Sequence, residues 1–183
     1  MEPMNDFDTI IQMVVENNLI TIGPPLSGKS TLCNKVRAKG KHSYFSVRSY
    51  FEPKRVNSEM KLPSAGTLLP DDMVWEAFEK TVNRQDGPAY FIADGYPATV
   101  TQVNMLTDWL NQSNMKGFII HIRGNKEESQ QRMRLRQVCF QCDGGVNGID
   151  INTGDTGFCP ICGAKLGKRA DDTEIGFMNR WTN

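Results

Sequence analysis

Eight residues constrain this chain more than any others: Gly23-Pro24-Pro25-Leu26-Ser27-Gly28-Lys29-Ser30 fits the pattern G-x-x-x-x-G-K-[ST]. The pattern carries meaning only between a strand and a helix. Both flanks satisfy that condition. Leu19-Ile20-Thr21-Ile22 reads as a short buried strand, and Thr31–Ala38 as the helix that follows. Such a turn aims backbone N–H groups at a polyphosphate, at the positive end of the helix. On this reading Lys29 reaches the β- and γ-phosphates and the Ser30 hydroxyl holds Mg²⁺. The bland alternative is a Gly/Pro turn that enters a helix by coincidence, and the strand and helix at its two ends argue against it. The motif predicts nucleotide binding.

The rest of the chain repeats the same alternation. Short apolar strands are expected at Tyr44–Ser46, Tyr90–Ala93 and Phe118–Ile122, with helical patterns at Pro70–Val82 and Thr101–Asn111. Strands alternating with helices imply βαβ crossovers, hence an α/β fold with a mostly parallel sheet and helices on both faces. Ahead of this core, Phe7, Ile10, Ile11, Val14 and Val15 form one apolar stripe at helical spacing, with Asn17 and Asn18 ending the helix. A length of 183 residues suits one compact domain with a small insertion. The 21 basic and 21 acidic residues balance, which argues against broad electrostatic binding to nucleic acid or an anionic membrane. No apolar run approaches the ~20 residues of a membrane span. The first residues carry Glu2, Asp6 and Asp8 rather than a basic leader, so a soluble, cytoplasmic protein is expected.

From Cys139 to about Leu166 the texture changes to Gly, Cys and Asp with little periodicity. That stretch is too short and polar to build an apolar core, so it needs a staple. Cys139-x-x-Cys142 and Cys159-x-x-Cys162 have the spacing of a Cys₄ zinc ribbon, each pair turning two thiolates toward one tetrahedral metal. Zinc, or iron in the same S₄ cage, would supply folding free energy that burial cannot. Disulfides are the rival reading, disfavoured in a reducing compartment. Cys33, on the helix behind Lys29, reads as a small buried apolar residue.

Several further segments resemble adenylate kinases, specifically the forms whose lid is stapled by zinc. Ala65-Gly66-Thr67-Leu68-Leu69-Pro70-Asp71-Asp72-Met73-Val74 looks like the family's A-G-x-L-V-x-D-x-x-V segment. Asp94-Gly95-Tyr96-Pro97-Ala98-Thr99, followed by Gln102, is similar to D-G-F-P-R-T-x-x-Q. Arg132 and Arg136 precede Cys139 at the family's spacing, and Arg169-Ala170-Asp171-Asp172 with Arg180 matches its R-x-D-D…R. The resemblance implies a nucleoside monophosphate kinase-like fold: an N-terminal helix over 1–18, a core over 19–137 with an acceptor-binding helical insertion at 46–75, a zinc-binding lid over 138–166 and a return helix over 167–183. It implies that Lys29, Arg136, Arg169 and Arg180 supply the catalytic cations. Gly23, Leu26, Ser27, Gly28, Lys29, Ser30 and Thr31 would hold ATP, with Arg132 against its adenine. Thr67, Leu68, Leu69, Gly95 and Gln102, with Arg169 and Arg180, would hold AMP. Ser30 and Asp94 would serve Mg²⁺, the latter through water, and Cys139, Cys142, Cys159 and Cys162 would hold structural Zn²⁺. A monomer is the family expectation.

Taken alone, some of these residues read differently. Arg132, Arg134 and Arg136 resemble a solvated helix face, and Arg134, which matches no family ligand, is expected at the surface. Asp171 and Asp172 could begin the last helix, and Gln102 could be an exposed helical residue. His42 and His121 are expected in the core or at a strand edge.

The chain also departs from the family pattern. The position after Pro97 is Ala98 where the family has arginine, and Val47-Arg48-Ser49 and Glu52 replace T-G-D and a second arginine. Both of those arginines hold the acceptor's phosphate in the family, and Arg48, Lys54, Arg55 and Lys61 are nearby cations that could substitute. Leu26 stands where the family usually has glycine and is expected to adopt ordinary φ values. The likeness ends with Arg180, so a four-stranded sheet is expected, with the first helix covering an exposed edge or face. The leading functional reading is transfer of the ATP γ-phosphate to AMP. The alternatives are a different monophosphate acceptor, or a weakly catalytic ATP-binding protein with a regulatory role. A zinc-ribbon nucleic-acid binder is disfavoured, since Val138–Leu166 has only Lys165 as a basic residue.

Overall fold

The computed structural model describes residues 6–56, 68–84, 86–143, 148–149 and 157–182. The chain divides into two compact units. One is built from the chain up to Gly23, from Gly28–Val47 and from Pro70–Ile122; the other from Pro24–Ser27, Arg48–Leu69 and the chain from Arg123 onward.

The first unit is a parallel α/β layer structure. Its strands are β1 (Asn18–Ile22), β2 (His42–Phe45), β3 (Tyr90–Asp94) and β4 (Gly117–His121), in the order β2-β3-β1-β4. All three pairings are parallel, with Leu19 opposite Ile92 on β3 and opposite Phe118 on β4. The expected four-stranded parallel sheet is therefore present. Successive side chains on a strand point to opposite faces, and both faces carry helices, although Phe118 and Ile119 on the edge strand β4 are exposed. On one, α1 (Asp6–Val14) and α2 (Lys29–Lys39) close a core of Ile11, Val14, Leu19, Leu32, Cys33, Val36 and Ile92. The apolar stripe of the first helix thus covers a sheet face. On the other, α4 (Asp71–Val82) and α5 (Val100–Gln112) bring Phe78 and Trp109 against Phe91 in edge-on ring contacts, with Phe45 and Tyr96 packed on Phe78. Edge-to-face and offset ring pairs of this kind add about 0.5–1.5 kcal/mol each beyond their buried area.

Element ends differ from the periodicity-based expectation for local reasons. Asn18 opens β1 instead of closing the first helix, because its buried amide donates to Lys116 O at 2.7 Å and accepts from Phe91 N at 3.0 Å. Helix α2 begins at Lys29 instead of Thr31, which places Lys29, Ser30 and Thr31 in the first turn, where backbone N–H groups have no helical acceptor. Helix α5 begins at Val100 because Thr99 Oγ1 caps it, accepting from Gln102 N at 3.1 Å.

The second unit contains α6 (Lys126–Leu135), capped by Asn125, and α8 (Glu174–Thr182). Between them lie a two-stranded antiparallel ribbon of β5 (Gln137–Val138) with β6 (Gly148–Ile149), and α7 (Phe140–Asp143). Helix α3 (Val47–Val56) continues from β2. No helix among the described residues is long and apolar enough to cross a membrane.

Candidate active site

The phosphate-loop glycines take backbone conformations that are closed to most other residues. Gly23 has φ 142°, and a Cβ there would lie 2.2 Å from the Ile122 carbonyl oxygen, so only glycine fits. Gly28, preceding α2, has φ 102°. Leu26 has φ 60°, which corrects the expectation of an ordinary value. The turn imposes a left-handed residue at that position whatever the side chain, and the Leu26 carbonyl accepts from Arg132 Nη1 at 3.1 Å. Ser27 is buried, whereas Ser30 and Thr31 are exposed. The Lys29 ammonium donates to Gly23 O at 2.8 Å. Burial lowers its pKa, and the nearby Asp94 carboxylate opposes that shift.

Asp94 ends β3, opposite Thr21 on β1, with only 7% exposure. Its carboxylate accepts from the Tyr44 hydroxyl at 2.7 Å and from Thr21 Oγ1 at 3.4 Å. Burial first, then the Asp94 charge, pushes the Tyr44 phenol above its ordinary pKa, so it remains a donor. The Cys33 thiol, fully buried beside Thr21, is raised to about 12 by burial and by Asp94, as befits an inert core thiol. Gly95 N donates to Thr21 O at 3.0 Å, and a Cβ on Gly95 would touch Lys29 Cε at 3.5 Å. Asp94 and Ser30 offer hard oxygen donors, the chemistry that Mg²⁺ takes.

Gln102 is not the exposed helical residue that its sequence context allowed. It is 2% exposed, its Oε1 accepts from Ala98 N at 2.8 Å, and its Nε2 donates to Asp71 Oδ1 at 2.8 Å. Thr99 Oγ1 donates to the same Asp71 oxygen at 2.8 Å. The amide therefore ties the Pro97–Thr99 turn to the start of α4. Leu68 is exposed and Leu69 buried, and Thr67 lies outside the described residues, as do the side chains of Glu52, Lys54, Arg55 and Lys61.

In the second unit, guanidinium groups converge on two adjacent carboxylates. Asp171, 6% exposed, receives Arg169 in a two-bond fork at 3.1 and 3.0 Å, Arg180 at 2.7 Å and Arg48 at 2.5 Å. Arg136, which caps the C-terminus of α6, forks onto Asp172, and Arg180 lies 3.6 Å from the same carboxylate. Burial raises the Asp171 carboxyl, but the Arg169 hydrogen bonds and the charges of Arg169, Arg48 and Arg180 outweigh it and hold the pKa at about 2. Burial, together with repulsion from Arg48 and Arg136, lowers Arg169 to about 10. Asp171 and Asp172 thus precede α8 as arginine acceptors instead of forming its first turn. Arg134 is exposed and pairs with Glu174 at 2.8 Å, the surface placement expected for it.

Cys139, Cys142, Cys159 and Cys162 bring their sulfurs within 4.8 Å of one another. The Sγ separations are 3.5 Å for Cys139–Cys162 and 3.7 Å for Cys142–Cys159, and all five cysteines are free thiols. A tetrahedron of sulfurs about 2.3 Å from zinc has edges of about 3.8 Å, close to these two separations, so the four thiols suit that ion. The Cys159 turn is set by Gly163 N donating to Cys159 O at 2.9 Å and by Cys159 N donating to Ala164 O at 2.7 Å.

Comparison with known proteins agrees with this picture. A family model described as AAA domain matches residues 22–139. The adenylate kinase of Clostridium tetani is 30% identical over 173 residues, covering 89% of this chain and 79% of the relative. The chain belongs to the adenylate kinase family. The adenylate kinases of Fervidobacterium nodosum and Thermotoga petrophila are 30% and 29% identical, each over 171 residues and 78% of the relative's length. Membership makes this an adenylate kinase-like phosphotransferase with a phosphate-loop domain, and the Cys₄ cluster fits the zinc-lid form of the family.

Three side-chain contacts escape a reading of the motifs. Tyr44 sits on a strand whose pattern reports only burial, and its hydroxyl meets Asp94 through the β2–β3 pairing. Asp171 was legible as part of R-x-D-D, but not as the point where three arginines meet. Arg48, visible in the sequence as one of four nearby cations, is the one whose side chain is described on that carboxylate.

Proposed function

We propose that this protein transfers the γ-phosphate of ATP to AMP, producing two ADP. The observation that carries the reading is local to the first unit. Lys29 and Ser30 open α2 directly after β1, and Asp94 stands at the same end of the adjacent strand β3, in register with Thr21. Nucleotides bind outside the carboxyl ends of parallel strands, and a lysine, a hydroxyl and a carboxylate there match the needs of a polyphosphate with its metal. An oxygen of the AMP phosphate attacks the γ-phosphorus, the bond to the β,γ-bridging oxygen breaks, and ADP leaves with that electron pair.

In this reading Gly23, Leu26, Ser27, Gly28, Lys29, Ser30 and Thr31 hold ATP, and Arg132 lies against its adenine. Lys29, Arg136, Arg169 and Arg180 neutralise charge on the phosphoryl in flight. Ser30 and Asp94 would hold Mg²⁺, which would supply neutralisation of phosphate charge. Thr67, Leu68, Leu69, Gly95 and Gln102, with Arg169 and Arg180, receive the acceptor. The Cys₄ lid carries Zn²⁺. A cytoplasmic monomer acting on small molecules, with neither nucleic acid nor membrane as partner, completes the proposal.

One observation favours a second acceptor. The amide of Gln102, one of the residues expected to hold AMP, is already committed to Ala98 N and Asp71. Transfer of labelled γ-phosphate from ATP·Mg²⁺ to AMP, GMP, CMP, UMP and dAMP separates the possibilities. Labelling of AMP foremost supports the proposal, and labelling of another monophosphate moves the acceptor. Bound ATP with no labelled product would leave a nucleotide-sensing protein.

A further inference from the structure

Among the described residues, the parallel sheet has two unlike edges. On β2, Ser43 and Phe45 are buried, with His42 and Tyr44 half-buried. On β4, Gly117, Phe118, Ile119 and His121 are exposed, and Ile120 is half-buried. Phe118 is 38% exposed and Ile119 67%. Proteins usually blunt a free edge with a lysine or proline on the strand, or with a bulge. The β4 residues Gly-Phe-Ile-Ile-His include neither, and they pair with β1 in unbroken register. Such an edge is a template for another strand.

Backbone direction selects the strand that fits. Ile122 N donates to Ile22 O at 2.9 Å, so the polar groups of Ile122 point to β1. Successive residues of a strand direct N–H and C=O to alternate sides. Phe118 and Ile120 therefore also face β1, and Gly117, Ile119 and His121 face the open side. Antiparallel residues that exchange both hydrogen bonds stand directly opposite one another. A second β4, related by a two-fold axis at Ile119, sets open-side groups against open-side groups throughout. Ile119 meets Ile119 of the copy, and Gly117 meets His121 in both directions.

The side chains agree with that register. Phe118 comes opposite Ile120 of the copy, an aromatic with a β-branched residue, a pairing that stabilises antiparallel sheets. The two exposed Ile119 side chains meet on the other face, and each His121 meets a glycine. Lys116 stands opposite Ile122 and Arg123 opposite Met115, so no like charges are brought together. A one-residue shift sets open-side groups against inward ones, and in one direction also Lys116 against Arg123.

We propose that β4 is a self-association surface: it pairs antiparallel with β4 of a second copy, joining two four-stranded sheets into one. One strand meets itself, so the contact closes at two copies. An interface of this length is at the weak end of protein association. At catalytic dilution the chain is the monomer named above, and the dimer forms as concentration rises. The pairing is independent of the reaction that the phosphate loop carries out.

Sedimentation velocity of the full chain, from about 1 µM to about 500 µM, tests this. The mean mass of the unmodified protein is expected to rise toward that of two chains. Ile119→Lys and Ile119→Glu each place like charges at the axis, and each is expected to stay monomeric over the same range. Their melting temperatures should stay within about 2 °C of the unmodified protein, because the replaced side chain is exposed. An equal mixture of the two variants should recover the dimer, since lysine then faces glutamate. An unmodified protein that is monomeric throughout would leave the edge to a different strand. Dimers that survive both substitutions would put the contact elsewhere, and growth beyond two copies would show that it does not close. A mixture that stays monomeric would remove the axis at Ile119. Each of these four results overturns the proposal.

Discussion

The phenol of Tyr44, on β2, donates a 2.7 Å hydrogen bond to Oδ2 of Asp94 at the end of β3. This bond fixes the rotamer of a carboxylate that, among the described residues, otherwise accepts from Thr21 Oγ1 at 3.4 Å. Because burial and the Asp94 charge keep the phenol protonated, the bond persists across the working pH range. Tyr44→Phe is therefore expected to lower stability by about 1 kcal/mol. It should also raise the Mg²⁺ concentration needed for half-maximal transfer several-fold, with ATP affinity measured without Mg²⁺ unchanged. A Mg²⁺ titration of the variant checks this, and an unaltered Mg²⁺ requirement would show that Tyr44 merely fills space.

Asp171 makes acid stability specific. Its pKa in the folded protein is about 2, against an ordinary aspartate near 4 in the unfolded chain. A depressed folded value means that the contribution is complete above the unfolded pKa and is lost as pH falls toward the folded one. A shift of that size corresponds to roughly 2 kcal/mol of stability. Asp171→Asn is expected to be less stable at neutral pH, because three guanidinium groups lose their anion. Its stability should then fall by about 2 kcal/mol less than that of the unmodified protein between about pH 5 and pH 2. Urea unfolding across that range reads the difference, and parallel curves would mean that Asp171 does not carry the acid sensitivity.

These two sites mark where reading the sequence succeeds and where it stops. The phosphate loop, the alternation of strands and helices, and the paired cysteines are periodic or spaced patterns, and patterns survive in one dimension. The four-stranded parallel sheet and the Cys₄ cage follow from them. The Tyr44–Asp94 bond depends on which strand lies beside which, and the order β2-β3-β1-β4 is not written in any local window. Leu26 shows the converse limit. Its residue type argues for ordinary φ, and the turn overrides that preference. The convergence of Arg48 on Asp171 joins positions 123 residues apart, so no spacing rule reaches it. Gln102 was legible as a motif member but not as a buried amide engaged at both ends.

The cysteine cage carries a metal prediction. Cys139 and Cys159 are buried while Cys142 and Cys162 are exposed, so a chelator can reach the site from one side. Elemental analysis is expected to find one zinc per chain. Cys142→Ser, or prolonged chelation at elevated temperature, should release it and lower the melting temperature, since an S₄ cage that loses a thiolate loses both charge and geometry. The core around Ile11, Leu19 and Ile92 does not depend on the cage, so the far-ultraviolet spectrum should change little. An unmodified protein that holds iron would identify the same S₄ cage with a different ion, and one that holds no metal would remove the prediction.

Lys29 offers the sharpest separation of chemistry from fold. Its ammonium donates to Gly23 O at 2.8 Å, and burial lowers its pKa against the opposing charge of Asp94. Desolvation of this cation costs free energy in the unliganded protein, and a bound polyphosphate would offset that cost and raise the pKa again. Lys29→Ala removes that charge without opening the apolar core, because the buried residues of α2 are Leu32, Cys33 and Val36. Transfer is expected to fall by about 10³-fold, the scale of losing one preorganised cation from a phosphoryl-transfer site. Stability should change by less than about 1 kcal/mol, and bound zinc should not change at all. Lys29→Arg should recover little, since a planar fork does not replace a point charge in a tight turn. Turnover within about tenfold of the unmodified protein, at equal zinc content and melting temperature, would show that Lys29 does not hold the transferred phosphate.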